Sequence, residues 1–329
     1  MTIQISIIGL DQVGVSLGLA LGNHKDLVRR VGSDVNPAAM RRAEKLGAVD
    51  HLTYNIPSAV RQADLVILAV AVDDLEETFK TIAEDLKEGA VVIDTSPVKI
   101  AATEWAKKTL REGQSFVSWT PALNPTYLNE AGTGAEAAHA DLFQNSLVYV
   151  TAPMGTPAEA LKLASDLVTL VGGTPMFADP YEVDGLIAAS YHLPGLTAAA
   201  LFNTLQDQPG WRENQRFAGK NLASASAPVQ NLTEREAFGQ AILLNRDNVL
   251  RLLDHYIASL TALREMIADQ NAQDLQAQLK RAVDGHLQWH KDRRQAAWLN
   301  AEKPPSDLPS SSDMWKNLFG LGGSKKKSR

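Results

Sequence analysis

The chain opens with Ile3-Gln4-Ile5-Ser6-Ile7-Ile8-Gly9-Leu10-Asp11-Gln12-Val13-Gly14, an apolar run that meets a glycine turn and then an apolar helical pattern. A buried strand that ends in glycines at a helix start is how a dinucleotide-binding unit begins. The helix amides face an anion there, and the absent side chains leave room for it. No other stretch constrains the fold as strongly. Gly9 and Gly14 hold the first and third positions of G-x-G-x-x-G, but Asp11 stands where the second glycine lets the backbone approach a pyrophosphate. A carboxylate about 4 Å from a phosphate in a partly screened site costs on the order of 4 kcal/mol. A bound dinucleotide therefore requires Asp11 to point away or to be offset by a cation. Gly9, Leu10, Asp11, Gln12, Val13 and Gly14 are the candidate cofactor contacts, together with Val70 at the end of a later strand.

The pattern that follows alternates strand and helix. Strands are expected at 27–33, 64–70, 90–94, 116–119, 147–150 and 175–178, with helices at 14–21, 37–46, 75–86, 100–110 and 158–171. The near-continuous apolar run Asp64-Leu65-Val66-Ile67-Leu68-Ala69-Val70 fits a strand covered on both faces of a parallel sheet. This spacing predicts an α/β, Rossmann-like, doubly wound domain over residues 1–178. Asp34, at the end of the second strand, suits the ribose hydroxyls of an adenosine and repels a 2′-phosphate, which favours NAD over NADP. Its alternative is a turn aspartate ahead of Asn36-Pro37.

Beyond Pro180 the strand signals stop. An all-α domain is expected over 179–300, with Pro194 kinking or breaking a helix at 183–205. A long amphipathic pattern over 233–269 carries Leu243, Leu244, Leu250, Leu253, Ile257, Leu260, Leu263 and Ile267 on its stripe, and residues 275–299 continue as helix. That stripe packs either on a second copy, giving a homodimer, or within the chain. Residues 301–329 read as a disordered tail rich in Pro and Ser. The tail ends in a Met314–Leu321 apolar cluster and Lys325-Lys326-Lys327, which reads as a membrane-surface or partner contact or as plain solvated chain.

Composition narrows the classes. The 329 residues carry a net charge of −6, which gives nucleic-acid binding no support, and they contain no cysteine for disulfides, thiolate metal sites or thiol nucleophiles. The seven histidines lack metal-ligand spacing, so no metal is expected. No apolar run of membrane-spanning length and no signal sequence is read, which makes the cytoplasm the expected compartment.

Taken in order, Ile7–Leu21, Val31–Pro37, Ala63–Val72, Val91–Lys99, Ala140–Phe143 and Tyr191-His192-Leu193-Pro194 resemble the prephenate and arogenate dehydrogenase family. The resemblance implies an NAD-dependent oxidoreductase that makes a tyrosine precursor by hydride transfer with decarboxylation. It also implies a small, anionic substrate and a helical dimerisation domain. The departures fall where that chemistry is done. The family histidine, in a G-G-H-P-M-A-G-like run, corresponds to Thr120 in Ser118-Trp119-Thr120-Pro121. A threonine hydroxyl hydrogen-bonds but is not a base near neutral pH. The serine of the family's D-x-G-S-V-K loop corresponds to Pro97 in Asp94-Thr95-Ser96-Pro97-Val98-Lys99, so Ser96 or Thr95 is left to supply a hydroxyl. Lys99 is retained, either as a site residue or as a solvated cap of the turn. The arginines of an F-R-D-x-T-R-like segment are absent from Phe217–Ala223, with Lys220, Arg212 and Arg216 as substitutes. His192 matches the second family histidine, while Tyr191 and Gly195 replace its neighbours; its alternative is a packed core histidine. The catalytic candidates are thus Thr120, Ser96, His192 and Lys99. Three functions remain open: a working prephenate/arogenate-type dehydrogenase, a relative that keeps the fold and nucleotide but not the reaction, and a dehydrogenase for another small substrate.

Overall fold

The computed structural model describes residues 2–130, 132, 134–232 and 237–296. The tail expected at 301–329 lies outside them. The described residues divide into two compact units, one within 1–180 together with 288–296, the other within 181–287.

The first unit is built on an eight-stranded sheet. Its elements run β1 (Ile3–Ile8), α1 (Gln12–Leu21), β2 (Val28–Ser33), α2 (Pro37–Leu46), β3 (His51–Leu52), α3 (Ile56–Val60), β4 (Leu65–Leu68), α4 (Val72–Ile82), β5 (Val91–Asp94), α5 (Lys99–Thr109), β6 (Ser115–Pro121), β7 (Leu147–Thr151), α6 (Ala158–Leu170) and β8 (Thr174–Phe177). The strand order is β3-β2-β1-β4-β5-β6-β7-β8, parallel throughout except for β6 against β7. Along β4, Leu65 and Ile67 enter the apolar core shared with Leu17 and Met40 of α1 and α2. Val66 and Leu68 enter the core shared with Phe79 and Ala102 of α4 and α5. Burial on both faces is why this strand reads as an unbroken apolar run.

The expected Rossmann-like architecture is therefore present, with strand and helix ends shifted by a few residues. The short β3 and α3 went unread, because two and five residues carry too little periodicity. Asn55 caps α3 by accepting from the Ser58 amide at 2.8 Å, and Pro57 follows in its first turn.

In the second unit, Pro194 does not break the helix. α7 (Pro180–Ile187) runs through a wide turn at Ala188–His192 into α8 (Leu193–Gln206), and the Leu193 amide donates to the Ala188 carbonyl. The i→i+5 turn absorbs the residue next to which proline lacks an N–H. The resulting 27-residue helical stretch, Pro180–Gln206, is by length and composition long and apolar enough to cross a bilayer. The expectation of no such run is corrected on length. Val183, Asp184, Ile187, Ala188, His192, Gly195 and Ala198 along it are buried, and Tyr181, Leu186, Tyr191 and Leu201 are exposed.

The shorter helices α9 (Trp211–Phe217) and α10 (Lys220–Ser226) follow. The pattern expected to be continuous over 233–269 is two helices, α11 (Ala237–Leu244) and α12 (Arg246–Ala268), divided at Asn245. The Asn245 side-chain amide is buried and donates to the Asp184 carbonyl at 2.7 Å, a bond that anchors the break. The last helix is α13 (Ala272–Gln295). The rest of both expected helices, 233–236 and 297–299, lies outside the described residues.

Candidate active site

The sheet order reverses about β1, whose neighbours are β2 and β4. In an open parallel sheet the crevice beyond the strand C-terminal ends at such a point is where a ligand enters. Gly9 sits there with φ +95°, and a Cβ on it would lie 2.3 Å from the Ala69 carbonyl oxygen. A Cβ on Gly14 would lie 2.0 Å from the Gly9 carbonyl oxygen. Both glycines are fixed by backbone packing around the turn. Asp34 closes the turn from β2. One carboxylate oxygen accepts from the Leu10 amide at 2.6 Å and the other from the Asn36 amide at 2.7 Å. Val70 lies across the crevice, its amide near Gly9. Leu10 and Val13 were expected as cofactor contacts, but their side chains pack into the core, leaving their backbone for that role.

Asp11 is the residue before α1, and its side chain makes no capping hydrogen bond. Its carboxyl lies beside Gly134, where a Cβ would come within 3.0 Å of Oδ1. Desolvation raises its pKa above the ordinary carboxylate value, and the charge of Asp34 adds to this, against a lowering hydrogen bond from the Gln12 amide. The segment between β6 and β7 thus lies against the start of α1. Gln12 Nε2 donates to the Ala137 carbonyl at 2.8 Å, and the His139 amide donates to Ser16 Oγ at 3.1 Å. The His139 ring stacks on Tyr127 at 3.9 Å and pairs with Glu130. A hydrogen bond to Asp141 pushes the Tyr127 hydroxyl up to about 12. The sequence reading did not single out this cover, because its partners are more than a hundred residues from α1.

The ends of β5 and β6 carry the other candidates. Asp94 and Ser118 are register partners, and both are fully buried. Lys99, the first residue of α5, is fully buried as well. Its ammonium donates to Ser118 Oγ at 2.7 Å, the Trp119 carbonyl at 2.8 Å and Asp94 Oδ2 at 3.2 Å. Ser118 Oγ also donates to Asp94 Oδ2 at 2.6 Å, and Asp94 Oδ1 accepts from the Ser96 amide at 2.8 Å. This overturns the reading of Lys99 as a solvated cap. Ser118 and Asp94 were not among the candidates, although their burial follows from the strand pattern. Ser96 Oγ and Thr120 Oγ1 are buried without a hydrogen-bond partner among the described residues. Burying a hydroxyl unpaired costs about 1–3 kcal/mol, a condition that Ser33 Oγ, Trp119 Nε1 and Thr151 Oγ1 of this unit share among the described residues.

His192 belongs to the second unit. Its ring is fully buried, neither nitrogen has a partner among the described residues, and burial pushes it down to about 4. It packs against Tyr191 and Phe238, with ring centroids 5.5 and 6.0 Å away. A cavity of about 180 Å³ lies beside it, lined by residues including Ser190, Tyr191, Gly195, Leu232 and Phe238. Arg212, Arg216 and Lys220 are exposed on α9 and α10. Ser96, Lys99 and Thr120 are thus brought together on one unit, and His192 and these cations lie on the other.

A mostly parallel sheet with a glycine turn at its switch point and a carboxylate closing that turn defines a dinucleotide-binding fold, joined here to a helical unit. Residues 17–176 match the family model for prephenate dehydrogenase, nucleotide-binding domain, and residues 179–281 match that for prephenate dehydrogenase, dimerization domain. The chain belongs to the prephenate dehydrogenase family. The first match begins downstream of Gly14, so the reading of the glycine turn rests on its geometry. Among relatives, the cyclohexadienyl dehydrogenase of Zymomonas mobilis is 29% identical over 86% of this chain and 95% of its own length. The prephenate dehydrogenase of Bacillus subtilis is 24% identical over 85% and 74%. The structure of prephenate dehydrogenase from A. aeolicus in complex with hydroxyphenyl propionate and NAD+ superposes with a TM-score of 0.76. It is 23% identical and covers 88% of this chain and 98% of that one. Synechocystis arogenate dehydrogenase superposes at 0.68, is 20% identical and covers 87% and 100%.

Proposed function

We propose that this chain is an NAD-dependent dehydrogenase acting on a prephenate- or arogenate-type substrate. The observation that carries the reading is the Asp34 carboxylate gripping the Leu10 amide at the glycine turn. A carboxylate held there retains lone pairs for ribose hydroxyls and opposes a 2′-phosphate, so NAD is preferred to NADP. The cradle fits a dinucleotide. Gly9 and Gly14 let the turn close tightly on its own backbone, the start of α1 is a place that favours an anion, and Asp11 has the Gly134 turn as a place for its carboxylate.

Bound NAD+ supplies a hydride acceptor for the substrate's carbinol carbon. The chain's own part is to hold the substrate hydroxyl and manage its proton as carbon dioxide leaves. Thr120 Oγ1 and Ser96 Oγ, both unpartnered, are the proposed hydrogen-bonding groups. His192, neutral near pH 7, has one ring nitrogen able to accept a proton, and it is the proposed acceptor. Arg212, Arg216 and Lys220 are the proposed sources of positive charge for an anionic substrate. The enzyme is proposed to work as a cytoplasmic homodimer. Leu250, Ile257, Leu260 and Ile267, exposed along α12, support a second copy as their cover.

The test is turnover of prephenate and of arogenate with NAD+ and NADP+, followed by reduced-nicotinamide absorbance, beside calorimetric titration of each cofactor. Turnover with NAD+ at least about tenfold faster than with NADP+ is expected from the Asp34 carboxylate. Binding of NAD+ without turnover of either substrate would instead favour a relative that keeps the nucleotide and has lost this reaction. Pro97 and Thr120, at the positions of the family's serine and histidine, are the observations on that side.

A further inference from the structure

Ser96 follows the end of β5, and Thr120 lies within the neighbouring β6. Asp94 of β5 pairs with Ser118 of β6, and each unpartnered hydroxyl lies two residues beyond that pair. Beneath them, one ammonium reaches both chains. Lys99 Nζ bonds Asp94 on the β5 side, and Ser118 Oγ and the Trp119 carbonyl on the β6 side. Asp94 passes the restraint upward by accepting the Ser96 amide. The Trp119 carbonyl passes it directly to the peptide that leads into Thr120.

We propose that Lys99 is a positioning residue whose network with Asp94 and Ser118 fixes the Ser96 hydroxyl relative to the Thr120 hydroxyl for the dehydrogenase reaction. The proposal rests on the function proposed above and adds the residue that sets the spacing of its polar groups. The physical case is one of over-determination. A buried ammonium needs its charge and donors satisfied, and its bonds here are to groups on two different strands, so neither strand end can shift without breaking one of them. An aliphatic residue at position 99 would fill the space but tie nothing together. The same demand explains why the lysine is retained beside Pro97 and Thr120. The bonds described tie it to protein groups alone, so the proposal does not depend on which hydroxyl group does the chemistry.

The test compares full-length Ser118→Ala and Lys99→Met with the parent chain. Three readouts are used: calorimetric NAD+ affinity, steady-state kinetics with prephenate and arogenate, and amide hydrogen exchange by mass spectrometry. In Ser118→Ala the NAD+ affinity should stay within about threefold, because the glycine turn is not part of the network, while kcat falls about tenfold with little change in KM, as for misplaced reacting groups. Exchange should quicken together over 94–98 and 118–123. Lys99→Met should do the same more strongly. If it does not fold, Ser118→Ala decides. Ser118→Thr, which restores a hydroxyl, should recover both kcat and protection. An unchanged kcat, or exchange that quickens in only one segment or equally over β1 and β2, overturns the proposal. If the parent chain turns over neither substrate, the proposed function fails by itself, and the joint exchange response still decides whether Lys99 couples the two strand ends.

Discussion

The buried cations of the first unit and the buried histidine of the second are treated in opposite ways. In the first, cations are buried with their partners. Arg30 is almost fully buried, holding both carboxylate oxygens of Asp50 and the carbonyls of Gly18 and Gly47, and Lys99 is held by Asp94, Ser118 and Trp119. Burial by itself would raise the Asp50 carboxyl, but hydrogen bonds and charge from Arg30 outweigh it and hold the carboxyl below its ordinary value. In the second unit, His192 is buried with neither nitrogen partnered among the described residues, and apolar side chains lie exposed along α12. A buried charge that is paired and hydrogen-bonded supports the fold around it, whereas a buried imidazole without partners favours its neutral form.

The largest effect should come from breaking the first pattern. Arg30→Met leaves the Gly18 and Gly47 carbonyls without the guanidinium donor, keeps only the backbone amide bond to Asp50, and should cost about 3–5 kcal/mol, measured by denaturant unfolding. A loss under about 1 kcal/mol would mean that the buried guanidinium is a poor guide to what holds the first unit together.

The next effect is acid sensitivity in the second unit. The folded pKa of His192 is depressed, so the neutral ring is the form favoured by folding. Its contribution is fully present above the unfolded value near 6.5 and drains away as pH falls toward about 4. The full difference is about 3 kcal/mol. His192→Leu should flatten that part of the stability–pH curve, and a parent-like slope in the variant would assign it to other groups.

Leu260→Glu places a charge on the exposed α12 face. Its expected outcome is a shift from dimer to monomer in sedimentation, with unfolding of the monomer changed by less than about 1 kcal/mol, as for a surface substitution. A variant that remains dimeric would remove α12 from the interface. The smallest effect concerns the one residue that breaks the glycine motif. With its carboxyl beside Gly134, Asp11→Gly should change the NAD+ affinity by less than about threefold, and a gain of about a thousandfold would mean that the carboxylate faces the phosphates after all.

The sheet, the glycine turn and Asp34 were legible in the residues because each depends on local pattern or on backbone shape. Apolar runs of strand length alternating with helical periods leave few other ways to bury both faces, and Gly9 and Gly14 occupy places where a Cβ has no room. Family membership was legible for the same reason, through ordered segments spread over both units. Tertiary structure alone decided the partners of Lys99, since a lysine at a turn reads equally as solvated or buried until Asp94 and Ser118 are aligned on neighbouring strands. It alone decided that Asp11 has a turn more than a hundred residues away to lie against, and that the helix runs through Pro194 on a wide turn at His192. Period and composition record what a segment does with its own neighbours. Which distant group meets a buried charge or an unpaired nitrogen is set by packing between segments, and no local pattern encodes it.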